Sequence, residues 1–228
     1  MIDVLHEDPH LFAVNKPAPL LTQAPLGVPS LEALVKDYIK EKYAKPAGVY
    51  LAVPHRLDRP VTGVILFVRN TKAAQRVQAQ FEAKAVVKIY RAVVAGRVPE
   101  DAGTWHDFVR KVPDEARVER ASEGEPGAKS ATLHFAVVSR SDSTTTLELS
   151  PVTGRMHQLR VQAAWRGFPI LGDTLYGSVT PFGPVGELPR DAVIALHARS
   201  LTLTHPFGGA ALTFVAPEPP TWAGFAVH

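Results

Sequence analysis

The 228-residue chain contains no cysteine. This absence excludes disulfide bonds, thiolate nucleophiles, iron–sulfur clusters and cysteine-ligated zinc sites. The chain also lacks a long hydrophobic run, since no apolar stretch approaches the roughly 18 residues that a membrane-spanning helix needs. Its N-terminus carries acidic residues where a signal peptide has a basic region. We therefore expect a cytoplasmic protein that does not contact a membrane.

The chain also has only a small excess of positive over negative charge. The formal net charge is only +3, although the calculated isoelectric point is near 9.2. This balance is a weak indication of a polyanionic partner, and composition alone favours a solvated, mildly basic surface. The hydrophobic content of 46% and the charged content of 21% are typical of a globular fold.

Two common site signatures are incomplete. His6, Glu7 and His10 match the letters of H-E-x-x-H, but Pro9 stands inside the pattern and argues against the single helical face that this motif requires. We therefore expect no metal site. The stretch "HRLD" resembles a kinase catalytic loop only in part, because Leu57 displaces Asp58 and no glycine-rich phosphate loop is present.

Hydrophobic periodicity predicts about eight strands and three helices. The helices are expected in "SLEALVKDYIKEKYA", "TKAAQRVQAQFEAK" and "GRMHQLRVQAAWRG", the last beginning after Gly154. The strands are expected in "LFAVNKP", "GVYLAV", "TGVILFV", "VVKIYRAVVAG", "ATLHFAVVSR", "TTTLELSPV", "AVIALHARSLTLTHP" and "AALTFVAP". The polar stretch 113–130 is predicted to be an exposed loop. Few βαβ alternations occur, so the fold class is α+β with a mixed, mostly antiparallel sheet.

Two polar clusters could carry chemistry. Arg56 and Asp58 lie two residues apart between two predicted strands, so in extended chain their side chains point the same way. A local salt bridge and an active-site loop both fit this spacing. The second cluster lies near the start of the third helix, where a solvated basic face and a phosphate contact both remain open. By default, Tyr90 is a core aromatic residue.

Four blocks in this order resemble the RluA-type family of RNA pseudouridine synthases. They are "HRLDRPVTGVILFVRN", "KIYRAVVAG", "PVTGRMHQLRVQAAWRGFPILGDTLYG" and "ALHARSLTLTHP". The early stretch "NKPAPLL" is similar to the family's K-P-x-G-L segment. The resemblance therefore runs from near residue 10 to near residue 217.

The resemblance implies a role for each candidate residue. Asp58 would be the catalytic carboxylate, Arg155 its ion-pair partner and Tyr90 the ring that stacks on the uracil. Arg56 would help to displace the target base. Charge adds further candidates for substrate binding, namely Lys88, His157, Arg160 and Arg166.

The implied reaction breaks the N1–C1′ bond of uridine, turns the uracil and rejoins it through C5. Nothing is oxidised, so the resemblance implies neither a cofactor nor a metal. The nucleotide has to leave its stack to reach a carboxylate in a cleft. We therefore expect RNA as the partner, in the form of a ribosomal or transfer RNA stem-loop, and a monomeric enzyme.

The implied fold has a mixed, mostly antiparallel sheet with flanking helices and a catalytic cleft across its middle. We expect one catalytic domain over residues 1–228, which two lobes on one continuous sheet could form. No N-terminal S4 RNA-binding domain is expected, because the family pattern begins within the first 20 residues.

The chain departs from the family pattern at several positions. Val61 and Thr62 replace a Thr-Ser pair, Gln162 replaces a histidine and Pro19 stands at a glycine position. Two alternatives therefore stay open. One is a catalytically inactive RNA-binding protein of the same fold. The other is a nucleosidase or glycosidase with Asp58 as nucleophile, although no second carboxylate stands out among the motif blocks.

Overall fold

The computed structural model describes residues 2–44, 48–184, 188 and 191–225. The chain divides into two compact units. Unit 1 comprises Met1–Lys88 and Ala198–Glu218, and unit 2 comprises Ile89–His197 and Pro219–His228.

Unit 1 combines antiparallel strands with two helices. Its elements are β1 (Asp3–Glu7), β2 (Leu11–Lys16), α1 (Leu31–Lys42), β3 (Thr62–Val68), α2 (Thr71–Glu82), β9 (Leu196–Thr204, from Ala198 onward) and β10 (Ala211–Val215). Strand β2 pairs with β1 and β3, and β10 pairs with β9, in each case antiparallel. The buried side chains of β2, β3, α2, β9 and β10 form one hydrophobic core.

The two helices of unit 1 follow from local sequence. Ser30 caps α1 by accepting a hydrogen bond from the Ala33 N–H, and Asn70 caps α2 by accepting one from the Ala73 N–H. Such caps satisfy N–H groups that have no partner inside the helix. Both helices were predicted from their apolar spacing and are confirmed.

The elements of unit 2 are β4 (Val87–Ala95, from Ile89 onward), β5 (Ala102–Lys111), β6 (Val118–Ala121), β7 (Lys129–Arg140), β8 (Thr144–Pro151) and α3 (Gln158–Trp165), with two 3-10 helices, Thr174–Tyr176 and Pro220–Phe225. Its strands pair antiparallel in the order β4-β8-β7-β5-β6. The predicted class, α+β with a mostly antiparallel sheet, is confirmed.

Three local predictions are wrong. "GVYLAV" is not a strand, because only Ala52 forms a β-bridge, with Val68. The polar stretch 113–130 contains strand β6, which pairs with β5; β5 itself was not predicted. Helix α3 begins at Gln158, later than predicted. Arg155 therefore lies in the loop before the helix.

Among the residues that the structure describes, no helix is long and apolar enough to cross a membrane.

Candidate active site

The segment 54–60, which carries Asp58, is irregular backbone directly before β3. His55 fixes its beginning, since the ring Nε2 accepts a hydrogen bond of 3.0 Å from the Leu66 N–H. Burial, together with the positive charge of Lys88, lowers the pKa of His55 to about 3. The ring is therefore neutral at pH 7 and keeps Nε2 available as an acceptor.

Thr22 fixes the middle of this segment. Its hydroxyl donates to the Leu57 carbonyl at 2.9 Å and accepts from the Leu57 N–H at 3.1 Å. Thr22 is 2% exposed and Leu57 is 7% exposed, so this pair is shielded from water. One side chain thus satisfies both backbone polar groups of the residue before Asp58.

Lys16, the last residue of β2, fixes the end of the segment. Its side chain is fully buried, and its Nζ donates to the carbonyls of Pro17 at 3.0 Å, Leu20 at 2.7 Å and Arg59 at 3.2 Å. Burial lowers the pKa of Lys16 to about 7, the negative charge of Asp58 opposes this shift and the positive charge of Arg59 adds to it. Lys16 and Asp58 are therefore electrostatically coupled.

Arg56 and Asp58 differ in their surroundings. Asp58 is partly buried, and its carbonyl accepts a hydrogen bond from the Val61 N–H at 3.1 Å, which closes a turn. Arg56 is exposed, so its guanidinium is accessible to solvent.

Lys88 and Tyr90 lie two residues apart on β4 and so share one face of the strand. Lys88 is partly buried, and this burial lowers its pKa. Tyr90 is also partly buried and lies opposite Leu149 of β8. Tyr90 is therefore not a fully enclosed core residue.

The loop that carries Arg155 is tied to β7. The Arg155 guanidinium donates through Nε to the Ser130 carbonyl at 3.0 Å, and its backbone N–H donates to the Gln158 side chain. The Gln158 amide in turn donates to the Thr132 carbonyl at 3.0 Å. Arg155 is exposed, so most of its donors stay accessible.

His157 marks the start of α3. Its backbone adopts a left-handed conformation with φ of 51°, and its Nδ1 lies 2.9 Å from the Tyr176 hydroxyl. The same hydroxyl accepts a hydrogen bond from the Val118 N–H at 3.0 Å. His157 therefore connects α3 to the 3-10 helix Thr174–Tyr176 and to β6.

The two remaining arginines of this cluster are paired with buried carboxylates. Arg160 is 5% exposed and forms two hydrogen bonds of 2.7 Å with Asp173. Arg166 donates to Asp107 at 2.9 Å and lies over the Trp105 ring. Both guanidiniums have structural partners, so this geometry does not favour the predicted phosphate contacts.

Gln162 stands where the family pattern has a histidine and is fully buried on α3. Its amide nitrogen donates to Asp107 at 2.7 Å and, with longer bonds, to the carbonyls of Trp105 and Ala131. Among the described residues, its side-chain oxygen has no hydrogen-bond partner. Gln162 therefore joins α3 to β5 and to β7.

The candidate residues divide between the units. Asp58, Arg56 and Lys88 belong to unit 1, whereas unit 2 holds Tyr90, Arg155, His157, Arg160 and Arg166. The pairing of Arg155 with Asp58 and the stacking of Tyr90 on uracil stay predictions. Within the described ranges, no cluster of three or more histidines, aspartates or glutamates could hold a metal ion.

Sequence reasoning missed three contributors to this region. Thr22 and Lys16 fix the Asp58 segment, and Asp173 neutralises Arg160. A signal existed for two of them, since Lys16 belongs to "NKPAPLL" and Asp173 to "LGDTLYG". No local pattern distinguished Thr22.

Comparison with known proteins gives one consistent result. Residues 10–165 match the family described as RNA pseudouridylate synthase. The chain is 34% identical to tRNA pseudouridine synthase C of Salmonella typhimurium, over 97% of this chain and 87% of that protein. It is also 34% identical to the dual-specificity RNA pseudouridine synthase RluA of Haemophilus influenzae, over 94% of this chain and 92% of that protein. The solved structure of human RNA Pseudouridylate Synthase Domain Containing 4 superposes with a TM-score of 0.77 at 26% identity, covering 96% of this chain and 89% of that one.

Proposed function

The chain belongs to the RNA pseudouridylate synthase family, and we propose that it isomerises uridine to pseudouridine in RNA with Asp58 as its catalytic carboxylate. The observation that carries this proposal is the family match over residues 10–165, which includes the "HRLDRP" segment. Full-length similarity to synthases supports an active isomerase over an inactive RNA-binding protein.

The reaction needs a carboxylate but no redox group. The N1–C1′ bond breaks, C1′ rejoins through C5, the C5 hydrogen leaves to solvent and N1 gains a proton. An ionised carboxylate can serve as nucleophile or base in this sequence. The three contacts at His55, Leu57 and Arg59 hold the backbone on both sides of Asp58, which supports a preorganised group.

The other candidate residues have complementary roles in this proposal. Arg155 stabilises the Asp58 carboxylate, and Tyr90 stacks on the flipped uracil. Arg56 helps to displace the target base, while Lys88 and His157 bind the RNA. Arg160 and Arg166 act indirectly, because their guanidiniums are already bound to Asp173 and Asp107.

The relatives suggest the class of RNA. Their names specify transfer RNA for the Salmonella protein and the large ribosomal subunit for pseudouridine synthase D of Xylella fastidiosa, which is 33% identical over 96% of this chain and 66% of that protein. We propose that this enzyme modifies a uridine in a stem-loop of ribosomal or transfer RNA. We further propose that it acts in the cytoplasm as a monomeric single catalytic domain.

Tritium release tests the assignment. The purified protein is incubated with transfer and ribosomal RNA that carry tritium at uridine C5. Wild type should release tritium into water, and Asp58→Asn, which retains the side-chain shape, should release none. The matched control is Asp37→Asn on α1, whose side chain is 73% exposed, and this variant should match wild type. Equal release by wild type and Asp58→Asn, or no release by wild type, would contradict the proposal.

A further inference from the structure

A short loop of unit 1, residues 23–29, exposes apolar residues to which the reaction above gives no role. Leu26 is fully exposed, at 105% of the reference value, and Val28 is 44% exposed. Burial of a leucine side chain is favourable, so a leucine held entirely in water adds nothing to the stability of the fold. Single exposed apolar residues are common on protein surfaces, so the position of Leu26 has to decide its role.

The sequence places Leu26 at the corner of a stiff turn. The Val28 N–H donates to the Pro25 carbonyl at 3.1 Å, which closes a four-residue turn with Leu26 in its second position. Gly27 follows with φ of +85°, the value that the third position of a type II turn requires and that glycine adopts without strain. Pro25 and Pro29 have fixed φ angles on either side. Little backbone freedom is therefore left for Leu26 to lose on binding.

Both ends of this loop are fixed to the start of α1. Leu21 and Ser30 form a parallel β-bridge. The Leu21 carbonyl accepts a hydrogen bond from the Leu31 N–H at 2.8 Å, and the Thr22 carbonyl accepts one from the Glu32 N–H at 3.0 Å. The turn thus extends from a firmly held base.

The base of the loop also contacts the segment that carries Asp58. The Thr22 hydroxyl binds both backbone polar groups of Leu57, and the Leu20 N–H donates to the Arg59 carbonyl at 3.2 Å. Leu26 follows Thr22 by four residues, so the two Cα atoms are at most about 14 Å apart. Neighbouring bases of one strand are about 3.4 Å apart. The turn can therefore reach bases next to a uridine that is bound at Asp58.

A flipped uridine leaves a gap in the base stack of the RNA, and the loss of stacking costs free energy. Proteins that distort nucleic acids offset such a cost by inserting apolar side chains, leucine among them, between bases. The loop "QAPLGVP" contains no charged residue. It therefore suits contact with base faces better than contact with phosphates.

We propose that Leu26 inserts as a wedge into the RNA base stack beside the target uridine and stabilises the flipped nucleotide. This inference rests on the proposed function, because it takes Asp58 as the catalytic group. In this role Leu26 is a positioning residue, which contacts the bases beside the gap and takes no part in bond breaking.

Single-turnover tritium release from the transfer and ribosomal RNA described above tests this inference. For Leu26→Ala we expect the rate at saturating enzyme to fall by about tenfold, which corresponds to the burial of roughly half of a leucine side chain. The Kd for RNA should stay close to the wild-type value, because phosphate contacts dominate affinity. The matched control is Leu34→Ala on α1, where the leucine is 46% exposed, and this variant should match wild type.

Two further substitutions separate apolar insertion from a general effect on the loop. Leu26→Met keeps an apolar side chain of similar volume and should retain most of the wild-type rate. Leu26→Gln has a similar size but a polar end, and it should be as slow as Leu26→Ala. Circular dichroism should show wild-type folding for all three variants, because Leu26 is fully exposed.

A fluorescent base measures the wedge without the chemical step. RNA with 2-aminopurine next to the modified uridine becomes brighter when this base loses its stacking partner. Binding of Asp58→Asn, which cannot react, should increase the fluorescence, and the double variant Asp58→Asn, Leu26→Ala should increase it less.

A wild-type rate in Leu26→Ala or Leu26→Gln, a weaker Kd with an unchanged rate, or equal fluorescence for the single and double variants would overturn the inference. An equal loss in Leu26→Met and Leu26→Ala would also overturn it. Inactive Asp58→Asn beside fully active Leu26→Ala would refute only the wedge. Tritium release by Asp58→Asn would instead refute the proposed function.

Discussion

Replacing Thr22 with valine removes one buried hydroxyl and keeps the shape of the side chain. This hydroxyl is the partner of both the N–H and the carbonyl of Leu57. Thr22 is 2% exposed, so water cannot replace the lost contacts without a rearrangement. The valine variant therefore leaves two buried backbone groups unsatisfied next to Asp58.

The cost of this change follows from the two lost partners. Each unsatisfied buried polar group destabilises the folded protein by about 1–3 kcal/mol. The extra methyl group of valine stabilises it by roughly 0.8 kcal/mol. We expect Thr22→Val to lower the free energy of unfolding by about 3 kcal/mol. For a chain of this length, that loss lowers the melting temperature by about 6–12 °C.

Urea denaturation and single-turnover kinetics measure the two consequences. At a temperature where the variant is folded, its rate should fall, because the Asp58 segment has lost its central anchor. Thr22→Ser restores the hydroxyl and should recover most of the rate. Thr213→Val, an exposed change on β10, controls for the substitution itself. A loss for Thr22→Val no larger than that of Thr213→Val would refute the reasoning.

Two further predictions concern the same unit. Gly63 has φ of +116°, and a Cβ there would lie 2.3 Å from the Ala198 carbonyl oxygen, so Gly63→Ala should lower the free energy of unfolding by more than about 4 kcal/mol in urea denaturation. In the control variant Gly27→Ala the new Cβ would meet open space, so the free energy of unfolding should fall by only about 1 kcal/mol. Equal losses for the two variants would contradict the steric explanation. The pKa of Lys16 is about 7 in the folded protein and 10.5 in the unfolded chain, so between these pH values only the unfolded chain keeps the Lys16 proton. Deprotonation of the unfolded chain as the pH rises therefore favours folding, and the contribution of Lys16 to the free energy of unfolding should increase by up to about 5 kcal/mol. Urea denaturation of wild type and Lys16→Met at several pH values checks this, and a difference that stays constant with pH would contradict it.

The helices and the buried strand β3 could be predicted because their periodicity is local. In α1, Leu31, Val35 and Ile39 recur at helical spacing, and all three are buried in the structure. All seven residues of β3 are buried, which matches its continuous apolar sequence. In these elements the local preference and the tertiary environment agree.

Strand β6 could not be predicted because its stabilising partners are distant. It is a short polar strand in which Glu119 pairs with Arg110 of β5 at 2.6 Å. In the sequence such charges resemble those of an exposed loop. Only the pairing with β5 makes this stretch a strand.

Partners that are distant in sequence also limited the prediction of the site. Asp58, Tyr90 and Arg155 were predicted from ordered motif blocks, but charge alone could not show which arginines were already bound. In the sequence Arg160 was a candidate phosphate contact, but in the structure its guanidinium forms an ion pair with Asp173. Lys16 belongs to the family-like segment "NKPAPLL", but the sequence could not show that its side chain is buried and bound to the Arg59 carbonyl.

Nucleoside analysis of the reacted RNA tests the central claim most directly. Unmodified target RNA is incubated with the enzyme, digested and quantified for uridine, pseudouridine and free uracil. An isomerase that uses Asp58 should produce one pseudouridine for each uridine lost, release no uracil, and lose this activity in Asp58→Asn. Release of free uracil would instead identify a nucleosidase, and pseudouridine formation by Asp58→Asn would contradict the catalytic role of Asp58.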